Sequence, residues 1–84
     1  MRRSMDKLQA LNAFVAVAEA GGFSKAARRL GVATSSLTRL IDALEEQLGT
    51  ALLTRSTRAV VLTDSGTAYL EQIAPLLGDL QQAD

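Results

Sequence analysis

A cluster of hydroxyl side chains and one arginine lies near the middle of the sequence. Its members follow a glycine at position 31 and are Thr34, Ser35, Ser36, Thr38 and Arg39. A hydroxyl donates and accepts hydrogen bonds, and a guanidinium can form two parallel bonds with a guanine edge or a phosphate. The major groove of DNA accepts a helix that begins with small polar side chains of this kind. These residues therefore favour recognition of a duplex.

Two predicted helices would hold this cluster at a fixed angle. We expect a short helix over Lys25–Leu30 with Ser24 at its N-cap, and Gly31 supplies a turn that a Cβ would strain. An apolar stripe at helical spacing then predicts a helix over residues 34–48. The stripe consists of Leu37, Ile41, Leu44 and Leu48. The two elements together predict a helix-turn-helix.

The flanking segments predict a supporting helix and a β-hairpin. Apolar residues recur at helical spacing over Met5–Ala20, and two glycines follow. Residues 52–55 and 59–62 are short β-prone runs, and a hairpin of two strands must pack on the helices because it is unstable alone. The tip of this wing contains Ser56, Thr57 and Arg58. These side chains suit contact with a DNA backbone or a minor groove. The alternative is that the tip is a solvated turn without a binding role.

The last predicted helix begins at Thr63 and Asp64, a threonine cap followed by an acid that the helix dipole favours. Apolar residues then recur three or four apart: Tyr69, Leu70, Ile73, Leu76, Leu77 and Leu80. A small domain cannot cover so long a stripe, which favours pairing with a second chain. Packing against Met5–Ala20 is the alternative for some of its turns. Pro75 predicts a bend or a local break.

The composition excludes several classes of protein. The 84 residues form one small domain and include no cysteine and no histidine. Thiolate metal sites and disulfides are therefore excluded, and the commonest metal ligand and general base are missing. We expect no catalytic residue, no metal and no cofactor. No segment has the apolar length of a membrane span, so a cytoplasmic protein without membrane association is expected.

The net charge of zero hides an uneven distribution of charge. Residues 1–58 contain all nine basic side chains and five of the nine acids, whereas residues 59–84 contain the other four acids. The first part therefore has a net charge of +4 and the second part has −4. This pattern indicates a basic face and an acidic arm held away from phosphates, and chance segregation is the alternative.

The sequence resembles the N-terminal DNA-binding domain of LysR-type transcriptional regulators from about Leu8 to Leu77. No one element of the match is specific, but the ordered set at these spacings is. The elements are Phe14-Val15-Ala16-Val17-Ala18-Glu19, Gly21-Gly22-Phe23-Ser24, Ala26-Ala27, Leu30, Leu37-Thr38-Arg39, Ile41, Leu44-Glu45, Leu48-Gly49, Leu52-Leu53, Arg55, Ser56-Thr57-Arg58, Leu62-Thr63 and Gly66.

The resemblance implies a mainly α fold, a winged helix-turn-helix with a three-helix core and a two-stranded β wing. This DNA-binding domain would span residues 5–62, and a linker helix that forms a homodimer would span residues 63–84. Residues 34–48 would be the recognition helix in the major groove, and residues 55–59 the wing at the minor groove or backbone. A small-molecule effector is implied only if a further C-terminal domain exists.

Individual roles follow from the resemblance and from residue type. The residues expected to contact double-stranded DNA are Thr34, Ser35, Ser36, Thr38, Arg39, Ser24, Lys25, Arg55, Ser56, Thr57 and Arg58. For Arg55, pairing with Glu45 as a structural tie is an equal alternative. The family usually has Ser or Thr where this chain has Ala33, so the cap of the recognition helix falls to Thr34 or is weaker.

Two other classes of function are weighed against a dimeric, sequence-specific transcriptional regulator. The first is a winged-helix interaction module that dimerises with little DNA binding, which the acids Asp42, Glu45 and Glu46 favour slightly. The second is an enzyme, for which no histidine, cysteine, phosphate loop or carboxylate pair provides support. Binding that weakens steeply with salt would separate a DNA-binding protein from an interaction module.

Overall fold

The computed structural model describes residues 2–55 and 60–83, with the side chains of residues 7–55 and 60–78. These residues form four helices and one small sheet. In chain order the elements are α1 (Arg2–Ala20), α2 (Phe23–Leu30), α3 (Thr34–Leu48), β1 (Leu53–Arg55), β2 (Val60–Leu62) and α4 (Asp64–Ala83). The predicted helix-turn-helix, hairpin and last helix are confirmed, and α1 begins three residues earlier than predicted.

The first three helices enclose the core. Phe14 and Val17 of α1 are fully buried, and so are Leu37 and Ile41 of α3. Ala26 and Ala27 of α2 are also buried, and their small side chains allow the helix to pack closely on its neighbours. The apolar stripe that predicted α3 is therefore its core-facing side, since Leu44 is buried and Leu48 packs partly against the same cluster.

A left-handed glycine forms the turn between α2 and α3. Gly31 has φ = 72° and ψ = 33°, a conformation that costs a side-chain-bearing residue energy. The N–H of Val32 then donates to the carbonyl of Ala27 at 3.0 Å, which satisfies a carbonyl at the end of the helix. Because this turn is short and bonded, the angle between α2 and α3 is set by the local sequence.

The wing is a two-stranded antiparallel sheet. Leu53 pairs with Leu62, Thr54 with Val61 and Arg55 with Val60. Leu53 is buried in the core, so the sheet is anchored to the helices at the end away from its tip.

The last helix begins close to the wing. Thr63 caps α4: its Oγ1 accepts the N–H of Gly66 at 2.9 Å and donates to the carbonyl of Ala51 at 2.7 Å. The predicted threonine cap is confirmed. Of the two outcomes predicted at Pro75, the local break is wrong, because α4 is helical throughout Asp64–Ala83, and the bend stays a prediction. Ile73 of α4 belongs to the same core cluster as α1 and α3.

Candidate nucleic-acid interface

The start of α3 is the centre of the candidate interface. Ala33 occupies the N-cap position with an extended backbone, and no side chain caps the helix. The expectation that Thr34 is the cap is wrong, because Thr34 is already the first helical residue. The alternative expectation, that the helix has a weaker cap, is confirmed because no side chain bonds to its first N–H groups. The first N–H groups of a helix have no partner within it, so this helix start can donate hydrogen bonds to an acceptor outside the domain.

The predicted contact residues of α3 lie on three sides of the helix. Ser35 and Arg39 are exposed one turn apart on the side opposite the buried stripe, whereas Thr34 is exposed because it begins the helix. Ser36 is half-buried and lines a groove between α1 and α3, whose rim includes Arg39. Thr38 is also half-buried, and its Oγ1 donates to the carbonyl of Thr34 at 2.9 Å. The structure therefore leaves Ser35 and Arg39 on the outward side of α3, with Thr34 exposed beside them at the helix start.

The start of α2 presents a second small polar surface. Ser24 and Lys25 are both exposed. The predicted N-cap role of Ser24 is wrong, because Gly22 holds the extended cap position and α2 already begins at Phe23. Phe23 packs partly against the core, and this contact explains why the helix begins one residue before the serine. Ser24 and Lys25 therefore lie in the first turn of α2, where backbone N–H groups are also available.

Arg55 at the end of β1 binds two carboxylates of α3. Its Nη1 lies 2.7 Å from Oδ1 of Asp42, and its Nη2 donates to Oε1 of Glu45 at 3.0 Å. The guanidinium also lies over the ring of Phe23, 5.0 Å from the ring centroid. Both of its ends are occupied within the domain, so the structure favours the structural tie over a DNA contact.

Glu45 connects the recognition helix to the wing strand. Its Oε2 accepts the N–H of Leu52 at 2.8 Å and the N–H of Leu53 at 3.1 Å, while Oε1 is bound by Arg55. Its side chain is only 17% exposed. Pairing of Glu45 with Arg55 was considered from the sequence, but these two backbone bonds were missed. Glu45 lies four residues after Ile41 and three before Leu48, and this spacing, which places it at the edge of the buried stripe, was the available signal.

The predicted dimer residues of α4 divide into two groups. Ile73 and Leu77 are 5% and 7% exposed, so they pack within the protomer, and Tyr69 and Leu70 are half-buried against the core. For Ile73 and Leu77 the alternative of packing on the domain itself is therefore correct. Leu76 is 59% exposed and remains open to a partner. The side chain of Leu80 lies outside the described residues.

Burial also affects the one described tyrosine. Tyr69 packs against Phe14 with 5.9 Å between ring centroids. Desolvation by burial raises the pKa of Tyr69 above its ordinary value of 10.0. The phenol is therefore protonated and uncharged at neutral pH.

The tip of the wing, with Ser56, Thr57 and Arg58, lies outside the described residues. Within the described ranges no cluster of acidic residues is arranged to hold a metal ion. The same part of the chain contains no helix that is long and apolar enough to cross a bilayer.

The fold and the exposed start of α3 define a winged helix-turn-helix protein. A model of the lysR family of bacterial regulatory helix-turn-helix proteins matches residues 8–67, and the chain belongs to that family. It is similar to the HTH-type transcriptional regulator PgrR of Escherichia coli, with 44% identity over 93% of this chain and 26% of that protein. It is also similar to the regulator TtuA of Agrobacterium vitis, with 48% identity over 89% of this chain and 25% of that protein.

Solved structures of DNA complexes have the same fold. The DNA-binding domain of CbnR bound to DNA has a TM-score of 0.84 and 43% identity, covering 89% of this chain and 86% of that one. The DNA-binding domain of BenM on a catB site has a TM-score of 0.86 and 41% identity, covering 90% and 85%. The chain is thus a LysR-type DNA-binding domain, and it spans about a quarter of the length of the curated relatives it matches.

Proposed function

We propose that this domain binds double-stranded DNA in a sequence-specific manner, with α3 in the major groove. The observation that carries the proposal is the exposed face of Ser35 and Arg39, with the exposed Thr34 beside it at an uncapped helix start. Its buried opposite side fixes α3 against α1 and α2, so the polar face is presented by a rigid support. Domains of the same fold are bound to DNA in their crystal structures, which supports the same use here.

The roles of the recognition residues differ. Arg39 is the reader with the greatest reach, because its guanidinium can bind a guanine edge in bidentate fashion. Among the described residues it is in none of the ion pairs, which involve Arg29 and Arg55. Thr34 and Ser35 lie at the start of the helix, where their hydroxyls reach base edges or the adjacent phosphates. Ser36 faces the groove beside α1 and is a peripheral contact.

Phosphates flanking the major groove are proposed to bind at the start of α2. Ser24 offers a hydroxyl, Lys25 offers a charge, and the first turn offers backbone N–H groups toward an anion. These contacts carry no sequence information, so they would fix the position and orientation of α3 on the duplex.

The wing tip is proposed to contact the minor groove or its phosphates through Arg58, with Ser56 and Thr57 beside it. Narrow minor grooves attract arginine because of their negative potential. The described base of the wing supports this role, because β1 is tied to α3 by Arg55 and Glu45. Arg55 itself is proposed to position the wing and to neutralise two acids that would otherwise repel phosphates.

The domain is proposed to act as a homodimer through α4. Leu76 provides an exposed apolar side chain, and Tyr69, seven residues earlier, lies on the same side of the helix. Ile73 and Leu77 are left out of the proposed dimer interface, because the protomer already buries them. Two recognition helices that occupy successive major grooves on one face of DNA would lie about 34–36 Å apart.

Transcriptional regulation is proposed for the whole protein to which this domain belongs. The relatives are transcriptional regulators roughly four times as long, so an effector-binding function would belong to sequence beyond this domain. Such a regulator would act on the chromosome in the bacterial cytoplasm, and no catalytic residue or cofactor is proposed for this part of it.

The experiment that tests the proposal is selection of binding sites from randomised duplexes, followed by affinity measurements at several salt concentrations. A common half-site sequence should emerge, and the logarithm of the binding constant should fall by about 0.9 per neutralised phosphate for each tenfold rise in salt. A weak affinity that is the same for all sequences and insensitive to salt would contradict the proposal.

A further inference from the structure

The hydroxyl group of Thr38 is already engaged within α3. Its Oγ1 donates to the carbonyl oxygen of Thr34, one turn earlier, at 2.9 Å. A threonine hydroxyl has a single hydrogen, so this bond occupies the only donor of the side chain. Two groups remain for a ligand, namely the methyl group and the oxygen lone pairs.

This bond changes which features of a base the side chain can distinguish. A hydroxyl that rotates freely can donate or accept, and it therefore discriminates weakly between base edges. Back-bonding to the carbonyl four residues earlier holds the oxygen in place. A methyl group, by contrast, has one selective partner in the major groove, because thymine alone presents a methyl group there.

We propose that Thr38 is a specificity-determining residue whose methyl group contacts the C5-methyl of a thymine in the major groove. The inference rests on the proposed function, because it requires α3 to enter that groove. Thr38 is half-buried in the second turn, next to the exposed Arg39. If Arg39 contacts one base pair, the adjacent base pair would therefore be within reach of Thr38. Burying one methyl contributes about 0.8 kcal/mol, which corresponds to about a four-fold change in affinity.

Replacement of thymine by deoxyuridine tests this contact directly, because it removes the methyl and leaves the base pair intact. In the selected site, each thymine is replaced in turn, and the affinity of the wild-type domain is measured by fluorescence anisotropy. We expect one position in each half-site to lose about four-fold in affinity, with the other positions nearly unchanged.

Two substitutions separate the methyl from the oxygen. Thr38→Val keeps a methyl branch and removes the hydroxyl, so the preference for thymine over deoxyuridine should persist. Thr38→Ser keeps the hydroxyl and removes the methyl, so this variant should bind the thymine site about four-fold more weakly and should no longer distinguish the two bases. Thr67→Ser is the matched control, because it removes the same methyl from an exposed position of α4 outside the interface, and it should leave the discrimination intact.

The opposite pattern would overturn the inference. If Thr38→Ser retains the thymine preference, or if Thr38→Val abolishes it, the oxygen rather than the methyl reads the base. A wild-type domain that selects a sequence but binds thymine and deoxyuridine equally at every position would also overturn it, while leaving the proposed function intact. A wild-type domain that selects no sequence would instead overturn the proposed function, and this inference with it.

Discussion

Substitution of Gly66 by alanine tests how α4 is joined to the wing. Gly66 lies in the first turn of α4, where a Cβ would lie 2.0 Å from the carbonyl oxygen of Leu52 and 2.9 Å from its carbonyl carbon. Carbon and oxygen cannot approach so closely, so helix and strand must separate by about 1 Å or more. The N–H of Thr63 donates to that same carbonyl at 3.0 Å, and the separation would stretch this bond.

The magnitude follows from three contributions to the free energy of unfolding. Overpacking costs about 1–3 kcal/mol, and loss of one backbone hydrogen bond costs about 1 kcal/mol. Alanine recovers about 1 kcal/mol because it is the better helix former. We therefore expect Gly66→Ala to lower the free energy of unfolding by about 2 kcal/mol and the melting temperature by about 10 °C.

Gly78 in the same helix is the matched control. A Cβ at Gly78 meets nothing within 4 Å, so Gly78→Ala should raise the free energy of unfolding by about 0.5–1 kcal/mol. Urea unfolding followed by circular dichroism, at equal protein concentrations, measures both variants. If Gly66→Ala is as stable as Gly78→Ala, the close approach of α4 to Leu52 is refuted.

Three further predictions concern the tie between Arg55 and α3, the half-buried phenol of Tyr69 and the dimer. Arg55→Ala should lower the free energy of unfolding by about 1–2 kcal/mol in urea titrations. Arg55→Lys should recover only part of this lost stability, because an ammonium cannot span two carboxylates. Unchanged stability together with weaker DNA binding would make Arg55 a phosphate contact instead. Because burial raises the pKa of Tyr69, its stabilising contribution is complete below pH 10 and is lost as pH rises through the folded-state value. The wild type should therefore lose stability in alkali relative to Tyr69→Phe, and parallel stability profiles would contradict this. Leu76→Glu should shift the sedimenting mass from dimer toward monomer, while Ala74→Glu, exposed on the other side of α4, does not. An equal mass for both variants would exclude Leu76 from the interface.

Local patterns in the sequence were sufficient to predict the helices. The stripe of α3 and the glycine turn before it are properties of neighbouring residues, and the structure confirms both. The cap of α4 was also predictable, because Thr63 bonds to Gly66 within the same turn. Each of these features depends on contacts only a few residues apart, which spacing and residue type describe well.

Features that depend on distant contacts were predicted less well. Ser24 has the right residue type for a cap, but the packing of Phe23 on the core moves the helix start by one residue. The bonds from Leu52 and Leu53 to Glu45 join positions seven and eight residues apart across two elements. The burial of Ile73 and Leu77 likewise depends on how α4 lies over the core, which its own periodicity does not determine.

The exposed start of α3 is the feature on which the functional account depends. Its most direct test compares Arg39→Ala with the wild type on the selected duplex and on a duplex with one changed base pair. Gln47→Ala, exposed in the last turn of the same helix, is the control and should leave both affinities unchanged.

For a bidentate base contact, Arg39→Ala should lose about 1–3 kcal/mol of binding free energy on the selected duplex and less on the changed one, so that specificity relaxes at one position. An equal loss on both duplexes would assign Arg39 to a phosphate. Unchanged affinity on both would contradict the account, because the outward face of α3 would then lie away from the DNA.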